Sequence, residues 1–161
     1  MGGPYTLRPA GAGDADRVAA IWLAGWRDAH LAHVPAALLA ARTPESFRAR
    51  AVQRVGRDTV VAVAAGEVVG FVMVVGDEVE QVYVSSDHRG TGVAASLLAE
   101  GERMVAAAGH QQAWLAVVAG NARARRFYQR CGWTDEGPFD YAAKTEEGTI
   151  LVRCHRYVTP V

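Results

Sequence analysis

The 161-residue chain lacks the residues that mark several protein classes. It has two cysteines, Cys131 and Cys154, and neither stands in a Cys-x-x-Cys pair. Two isolated thiols argue against a disulfide scaffold and read as small packed groups of an intracellular chain. The five histidines and two cysteines show no ligand spacing, so no metal site is expected. Charge of one sign is missing too, because 17 basic residues face 17 acidic ones. That balance excludes a generic nucleic-acid or anionic-membrane surface. Gly, Arg or Glu interrupts every apolar run well short of the ~20 residues a membrane span needs. The opening Met-Gly-Gly-Pro-Tyr-Thr-Leu-Arg-Pro has no hydrophobic signal core. A cytoplasmic chain is expected. With no repeat, low-complexity tract or linker, and half its residues hydrophobic, residues 1–161 read as one globular domain.

What is present reads as alternating strands and helices. Tyr5–Arg8 is a short strand, and Asp14 is placed to cap a helix running to about His33. A second helix is expected from Ala36 to Arg54, with a break near Pro44. Thr59–Ala65, Val68–Val75 and Val79–Val84 form a three-strand meander with turns at Gly66-Glu67 and Gly76-Asp77. A helix from Val93 to about Ala108 follows, closed by Gly109. Ala113–Val118 is a buried strand. Asn121 caps a helix closed by Gly132, and Trp133–Ala142 and Thr149–Tyr157 are two last strands around a polar Lys144–Gly148 loop. This is a mixed α/β domain around one sheet.

The segment Arg89-Gly90-Thr91-Gly92-Val93-Ala94 sits between the meander's last strand and the next helix. A glycine-rich turn that opens a helix offers free N–H groups and a positive dipole end to phosphate oxygens. Arg89 adds a cationic fork. Gly90-x-Gly92-x-x-Ala95 also fits the short dinucleotide fingerprint. That fingerprint wants a carboxylate at the end of the next strand, and Val117-Val118-Ala119-Gly120-Asn121 has none. Its strand also usually begins a parallel βαβ unit, whereas this one closes a meander. The Gly-Lys-Ser/Thr of a Walker loop is missing as well.

One strand further on stands Asn121-x-x-Ala124-x-x-Phe127-Tyr128-x-x-x-Gly132-Trp133. Together with Val82-Tyr83-Val84 and Arg89-Gly-x-Gly-x-Ala94, in that order, it resembles the GCN5-related N-acetyltransferase (GNAT) family. The resemblance is strong over Thr59–Trp133. It implies a mixed, mostly antiparallel sheet of about seven strands flanked by helices, whose two splayed central strands, Val79–Val84 and Ala113–Val118, hold acetyl-coenzyme A. By resemblance, the backbone of Val82, Tyr83 and Val84 pairs with the pantetheine arm like an added strand. Arg89, Gly90, Thr91, Gly92, Val93, Ala94 and Ala95 wrap the pyrophosphate, although many members carry Ser or Thr where Ala95 stands. Asn121 contacts the cofactor as well as capping its helix. Arg125 reaches for a coenzyme phosphate, while Arg123, Arg126 and Arg130 read as a solvated face.

The same resemblance implies direct attack of a primary amine on the thioester in a ternary complex. Tyr128 stands where the family places the acid that protonates the departing thiolate. Glu80 is the candidate base. Strand alternation puts it on one face with Val82 and Val84, where partial desolvation would raise its pKa. Cys131 is read as turned away from Tyr128, so no acetylated cysteine is expected. Trp26, His30 and His33, from the first helix, are candidate walls of the acceptor pocket, with Tyr141 and His155 as weaker ones. The acceptor is a small-molecule or peptide amine, and the neutral composition disfavours a polycation. Members are often dimers, and Thr149–Tyr157 is a candidate pairing edge. The alternative is a non-catalytic coenzyme A-binding sensor or partner module.

Overall fold

The computed structural model describes residues 4–161. The strands are β1 (Tyr5–Pro9), β2 (Thr59–Ala64), β3 (Glu67–Val75), β4 (Glu78–Val84), β5 (Gln112–Val118), β6 (Thr134–Thr145) and β7 (Gly148–Pro160). They form one seven-stranded sheet in the order β1-β2-β3-β4-β5-β7-β6. Every pairing is antiparallel except β4 with β5. The helices are α1 (Ala15–His30), α2 (Ala36–Ala41), α3 (Pro44–Arg54), α4 (Val93–Ala107) and α5 (Ala122–Arg130). Among the described residues no helix is long and apolar enough to cross a membrane.

Each face of the sheet carries its own core. On one face Val18 and Trp22 of α1 and Phe47 of α3 close over Phe71 and Met73 of β3. On the other, Leu97 and Leu98 of α4 pack over Val72, Val74, Leu115 and Tyr157. Strand β3 is therefore apolar on both faces, and Val68–Val74 is buried without a break. That is the pattern of a central strand rather than an alternating one.

Several local details depart from expectation. The α1 helix ends at His30, three residues early. Its Asp14 makes no cap hydrogen bond to the helix. The carboxylate is taken by the Gly11 N–H at 2.8 Å and by Arg8 at 2.7 Å. The expected break near Pro44 is present: residues 36–54 form two helices, because Pro44 starts a new one and Thr43 Oγ1 caps it by accepting from the Ser46 N–H at 3.2 Å. The polar loop after Lys144 is shorter than expected, since β6 and β7 stay paired out to Thr145 and Gly148. Strand β7 is also not an edge. It lies between β5 and β6, so β1 and β6 are the sheet's free edges and the expected pairing edge at Thr149–Tyr157 is covered.

The feature that positions the site lies between β4 and β5. Their parallel pairing has one register pair, Glu78 with Trp114. Asp77 pins that end twice: its carbonyl accepts from the Trp114 N–H at 3.1 Å and its Oδ1 from the indole Nε1–H at 2.9 Å. Beyond this clamp the strands part, and the gap-facing edge of β4 has no strand partner through Val84.

Close packing of α1 on β4 keeps this geometry. Gly25 rests against the Tyr83 ring, and a Cβ there would overlap Tyr83 Cδ1. Overpacking of this kind costs ~1–3 kcal/mol. Gly25→Ala should therefore lower the melting temperature by roughly 2–10 °C, measured by differential scanning calorimetry. An unchanged melting temperature would show that the α1–β4 contact is loose.

Candidate active site

The parted strands open a cleft of roughly 1930 Å³ that passes between the two faces of the sheet. On the α4 side it is lined by Val82 and Val84, by Gly90, Gly92, Ala94 and Ala95, and by Asn121, Ala124 and Tyr128. On the α3 side it is lined by Trp26, His30, Arg42, Arg50, Arg54, Glu78, Glu80 and Tyr141.

The glycine loop fits an anion. Gly90 and Gly92 have φ values of 77° and 88°, a region that glycine enters without cost. A Cβ built on Gly90 would meet nothing within 4 Å, so the space above the loop is open. No side chain caps Gly92, and the first helical bond is Ser96 N–H to the Gly92 carbonyl at 3.1 Å. Among the described residues, the amides of Val93, Ala94 and Ala95 thus point out of the helix without a backbone partner. Thr91 is turned inward, its hydroxyl donating to the His88 carbonyl at 2.5 Å. Arg89 holds Asp28 at 2.7 Å, with both side chains well exposed. A pair this exposed is worth ~0–1 kcal/mol and is easily exchanged for a phosphate.

Helix α5 presents its residues differently from expectation. Asn121 Oδ1 accepts from the Ala124 N–H at 3.2 Å as a cap, and the residue also lines the cleft. Arg125 faces away from the cleft. Its guanidinium donates to the Tyr157 hydroxyl and the Ala119 carbonyl, both at 3.2 Å, and to Asp135 at 3.3 Å. It therefore ties α5 to β6 and β7 and lies off the cleft in which a coenzyme phosphate would sit. Arg123 and Arg130, read as a solvated face, line the cleft instead.

Tyr128 packs its ring against Phe127, Trp133 and Tyr157, and no protein group among the described residues hydrogen-bonds its hydroxyl. Burial pushes its pKa above that of an ordinary phenol, so the proton stays on. Cys131 lines the same cleft rather than standing apart from Tyr128. Burial raises its thiol pKa, which opposes the thiolate a nucleophile needs.

A bulge rearranges β4. Met73 of β3 pairs with Gln81, and the next residue, Val74, pairs with Val79, which leaves Glu80 as the extra residue. Val79, Val82 and Val84 pack on the α4 side. Glu80 swings to the opposite face and meets Arg54 of α3 at 2.7 Å. The expected face shared by Glu80, Val82 and Val84 is therefore absent, because a bulge breaks the two-residue period.

The bulge puts Glu78 on the cleft as well. Tyr141 donates its hydroxyl to Glu78 Oε2 at 2.8 Å. Burial raises the Glu78 pKa to about 7, against the lowering effect of that hydrogen bond. His30 stacks on Trp26 with ring centroids 4.6 Å apart, and its Nδ1 bonds the Trp26 carbonyl at 2.8 Å. Burial lowers its pKa to about 4, so it is neutral, with the proton on Nδ1. Trp26 and His30 line the cleft, whereas His33 is packed against Gly120. His155 is bound to Asp135 at 2.9 Å and lies off the cleft too.

Reading the sequence alone missed Glu78, Arg42, Arg50 and Arg54. A signal for two of them exists: Arg50 and Arg54 follow Phe47 by three and seven residues, on the face α3 buries.

Residues 20–133, well over half the chain, match the family described as "Acetyltransferase (GNAT) family". The chain belongs to this family. An uncharacterized N-acetyltransferase of Mycobacterium tuberculosis is 34% identical over 95 residues. That match spans 55% of this chain and 61% of the relative's length. A GCN5-related N-acetyltransferase from Rhodopseudomonas palustris superposes with a TM-score of 0.76 at 21% identity, covering 100% of this chain and 98% of the other. The PaiA N-acetyltransferase from Thermoplasma acidophilum, solved in complex with coenzyme A, superposes with a TM-score of 0.72 at 14% identity, covering 98% and 99%. At these identities the two structures establish the shared fold.

The buried Glu78 carboxyl makes stability depend on pH. In the folded chain it keeps its proton up to about 7. Unfolded, it loses that proton near pH ~4.3. The folded state thus binds more protons between these values, and stability falls as pH rises through them. Gln at this position still accepts the Tyr141 hydrogen bond and never ionises. Glu78→Gln should therefore melt like the wild type near pH 4 and above it at pH 8, by thermal denaturation at both pH values. Equal melting temperatures at pH 8 would refute the buried carboxylate.

Proposed function

We propose that the chain is an acetyl-coenzyme A-dependent N-acetyltransferase acting on a primary amine by direct attack in a ternary complex. The observation that carries this reading is the single-register contact between β4 and β5. It leaves the edge of Val82–Val84 unpaired beside a loop of free amides, a shape suited to an extended pantetheine arm ending in a pyrophosphate.

When bound, acetyl-coenzyme A supplies the acetyl thioester. The β4 edge near Val82–Val84 aligns the arm and offers an N–H to the thioester carbonyl. The loop from Arg89 to Ala95 holds the phosphates, and Asn121 adds its side-chain amide. Proximity of the two reactants supplies much of the acceleration. An amine arrives protonated and must lose a proton before it attacks. Two carboxylates face the place where it would stand. Glu80 has one oxygen on Arg54, and the other has no hydrogen-bond partner among the described residues. Glu78, at a pKa of about 7, is suited to take a proton at neutral pH, directly or through a water. Glu78 is therefore assigned as the base, and Glu80 as the group that attracts and orients the ammonium. Tyr128 holds its proton until a developing thiolate needs it.

Two measurements test this. A saturating 100-fold excess of acetyl-coenzyme A over its Kd should raise the melting temperature by roughly 5–10 °C. NAD or NADP should leave it unmoved, and stabilisation by the nicotinamide cofactors alone would overturn the reading. In thiol-release kinetics with a good amine, kcat should rise with pH through about 7. Glu78→Gln should remove that limb and cost ~100-fold in rate, with Tyr128→Phe costing at least tenfold. Full activity in both variants would sink the assignments, and coenzyme A binding without thiol release to any amine would leave a coenzyme A-binding module.

A further inference from the structure

Three guanidinium groups converge on the α3 side of the cleft, and the protein neutralises one of them. Arg54 is paired with Glu80 at 2.7 Å. Arg42, 9% exposed, donates one N–H to the Lys144 carbonyl at 2.9 Å, and its Nε is buried without a partner. Arg50 makes no hydrogen bond to protein among the described residues, and its Nη1 is fully buried. Its guanidinium lies 4.2 Å above the Trp22 ring and 5.2 Å from that of Phe47, held by stacking alone. Burial, and after it repulsion from Arg42, lowers the Arg50 pKa to about 10, with Glu80 opposing. Both remain cations at neutral pH.

The acids nearby offset them only in part. Glu80 favours both cations through space but pairs with Arg54, no carboxylate among the described residues forms an ion pair with Arg42 or Arg50, and Glu78 is only partly ionised at neutral pH. Glu146 and Glu147 line the cleft at its exposed rim, in the β6–β7 turn, beside Lys144. Burying a charge without a counter-ion is costly, because protein dipoles replace its hydration poorly. Arg42 is buried and Arg50 half-buried with its Nη1 shielded from solvent; both face the cleft with no carboxylate in ion-pair reach among the described residues, and the partner suited to such a pair is an anion. Planar guanidinium groups select a planar or tetrahedral oxyanion, which they bind through paired N–H donors.

Resting on the acetyltransferase reading, we infer that the acceptor is a small amino acid-like molecule, whose own oxyanion is held by Arg42 and Arg50 while its ammonium faces Glu78 and Glu80. The cleft's charges match such a zwitterion end for end, cations for the carboxylate or phosphonate and carboxylates for the amine. The same pattern excludes a polycationic amine, which would set its second charge against the arginines.

Matched acceptors test this without any variant. α-Amino acids, their aminophosphonate analogues, and the corresponding amides and decarboxylated amines are compared by thiol release and by calorimetric titration into the coenzyme A complex. The expected result is kcat/KM at least tenfold higher for the oxyanion-bearing member of each pair, with carboxylate and phosphonate arms telling which oxyanion fits. Arg50→Met removes the charge and leaves an apolar side chain beside Trp22. It should collapse that preference through KM, with coenzyme A affinity unchanged, and Arg50→Lys should restore part of it. Amides or plain amines accepted as well as the acids would overturn the inference and leave acetyl transfer standing. So would an Arg50→Met loss of coenzyme A affinity, which would make this a second phosphate site. If no amine releases thiol yet amino acids bind in an Arg50-dependent way, the anion site stands and the acetyltransferase reading falls. Absence of both thiol release and amino acid binding overturns both.

Discussion

The parallel contact between β4 and β5 is the constraint on which the site depends. Two parallel strands side by side would ordinarily zip along their length, since each unpaired backbone group beside a partner forfeits a hydrogen bond. Here they pair at Glu78 and Trp114 and then separate. Two things hold them so. Asp77 clamps the closed end through the Trp114 backbone and indole, which fixes the hinge of the wedge. The bulge at Glu80 bends β4 just beyond that hinge. On its far side β5 is committed to β7 over seven register pairs from Gln112 to Val118, so it does not follow β4.

The bulge also sorts chemistry between the two faces. Without it, Glu80 would lie with Val82 and Val84 over α4, among the apolar residues beside Leu97. With it, both carboxylates of β4 reach the α3 side, where Arg54 and Tyr141 receive them. One extra residue thus separates a slot lined by Val82 and Val84 from a charged chamber on the α3 side. In the proposed reaction the acetyl group crosses between them at the edge of Val82–Val84.

How much of this was legible in the sequence depends on the range of the interactions. The glycine loop, the Asn121 cap and the meander were readable because each is set by residues within a few positions of one another. The exit of Arg125 towards Tyr157 and Asp135 was not, since its partners lie 32 and 10 residues away and helical spacing does not rank two flanks of the same helix. The wrong face for Glu80 has the same root. Alternation is a local rule, and the bulge follows from how β3 and β4 are registered. The covered β7 edge likewise depends on which hairpin strand docks on β5, a choice made by tertiary packing.

The neutral composition concealed the cationic side of the cleft most completely. A net charge of zero describes the sum over 161 residues, while recognition depends on where the charges sit. Seventeen acids can balance seventeen bases and still leave Arg42 and Arg50 unanswered inside the cleft. Such an arrangement opposes folding, because it holds like charges together in a poorly solvating place. It is kept in place by forces of another kind: the Trp22 and Phe47 rings under Arg50, and the Lys144 carbonyl at Arg42. In the inferred role, such a cationic site gives up stability in the free protein, and an arriving oxyanion would return it as affinity. Strength and selectivity would then have one cause: among the described residues no carboxylate forms an ion pair with either arginine, and Glu80, which favours both through space, is paired with Arg54.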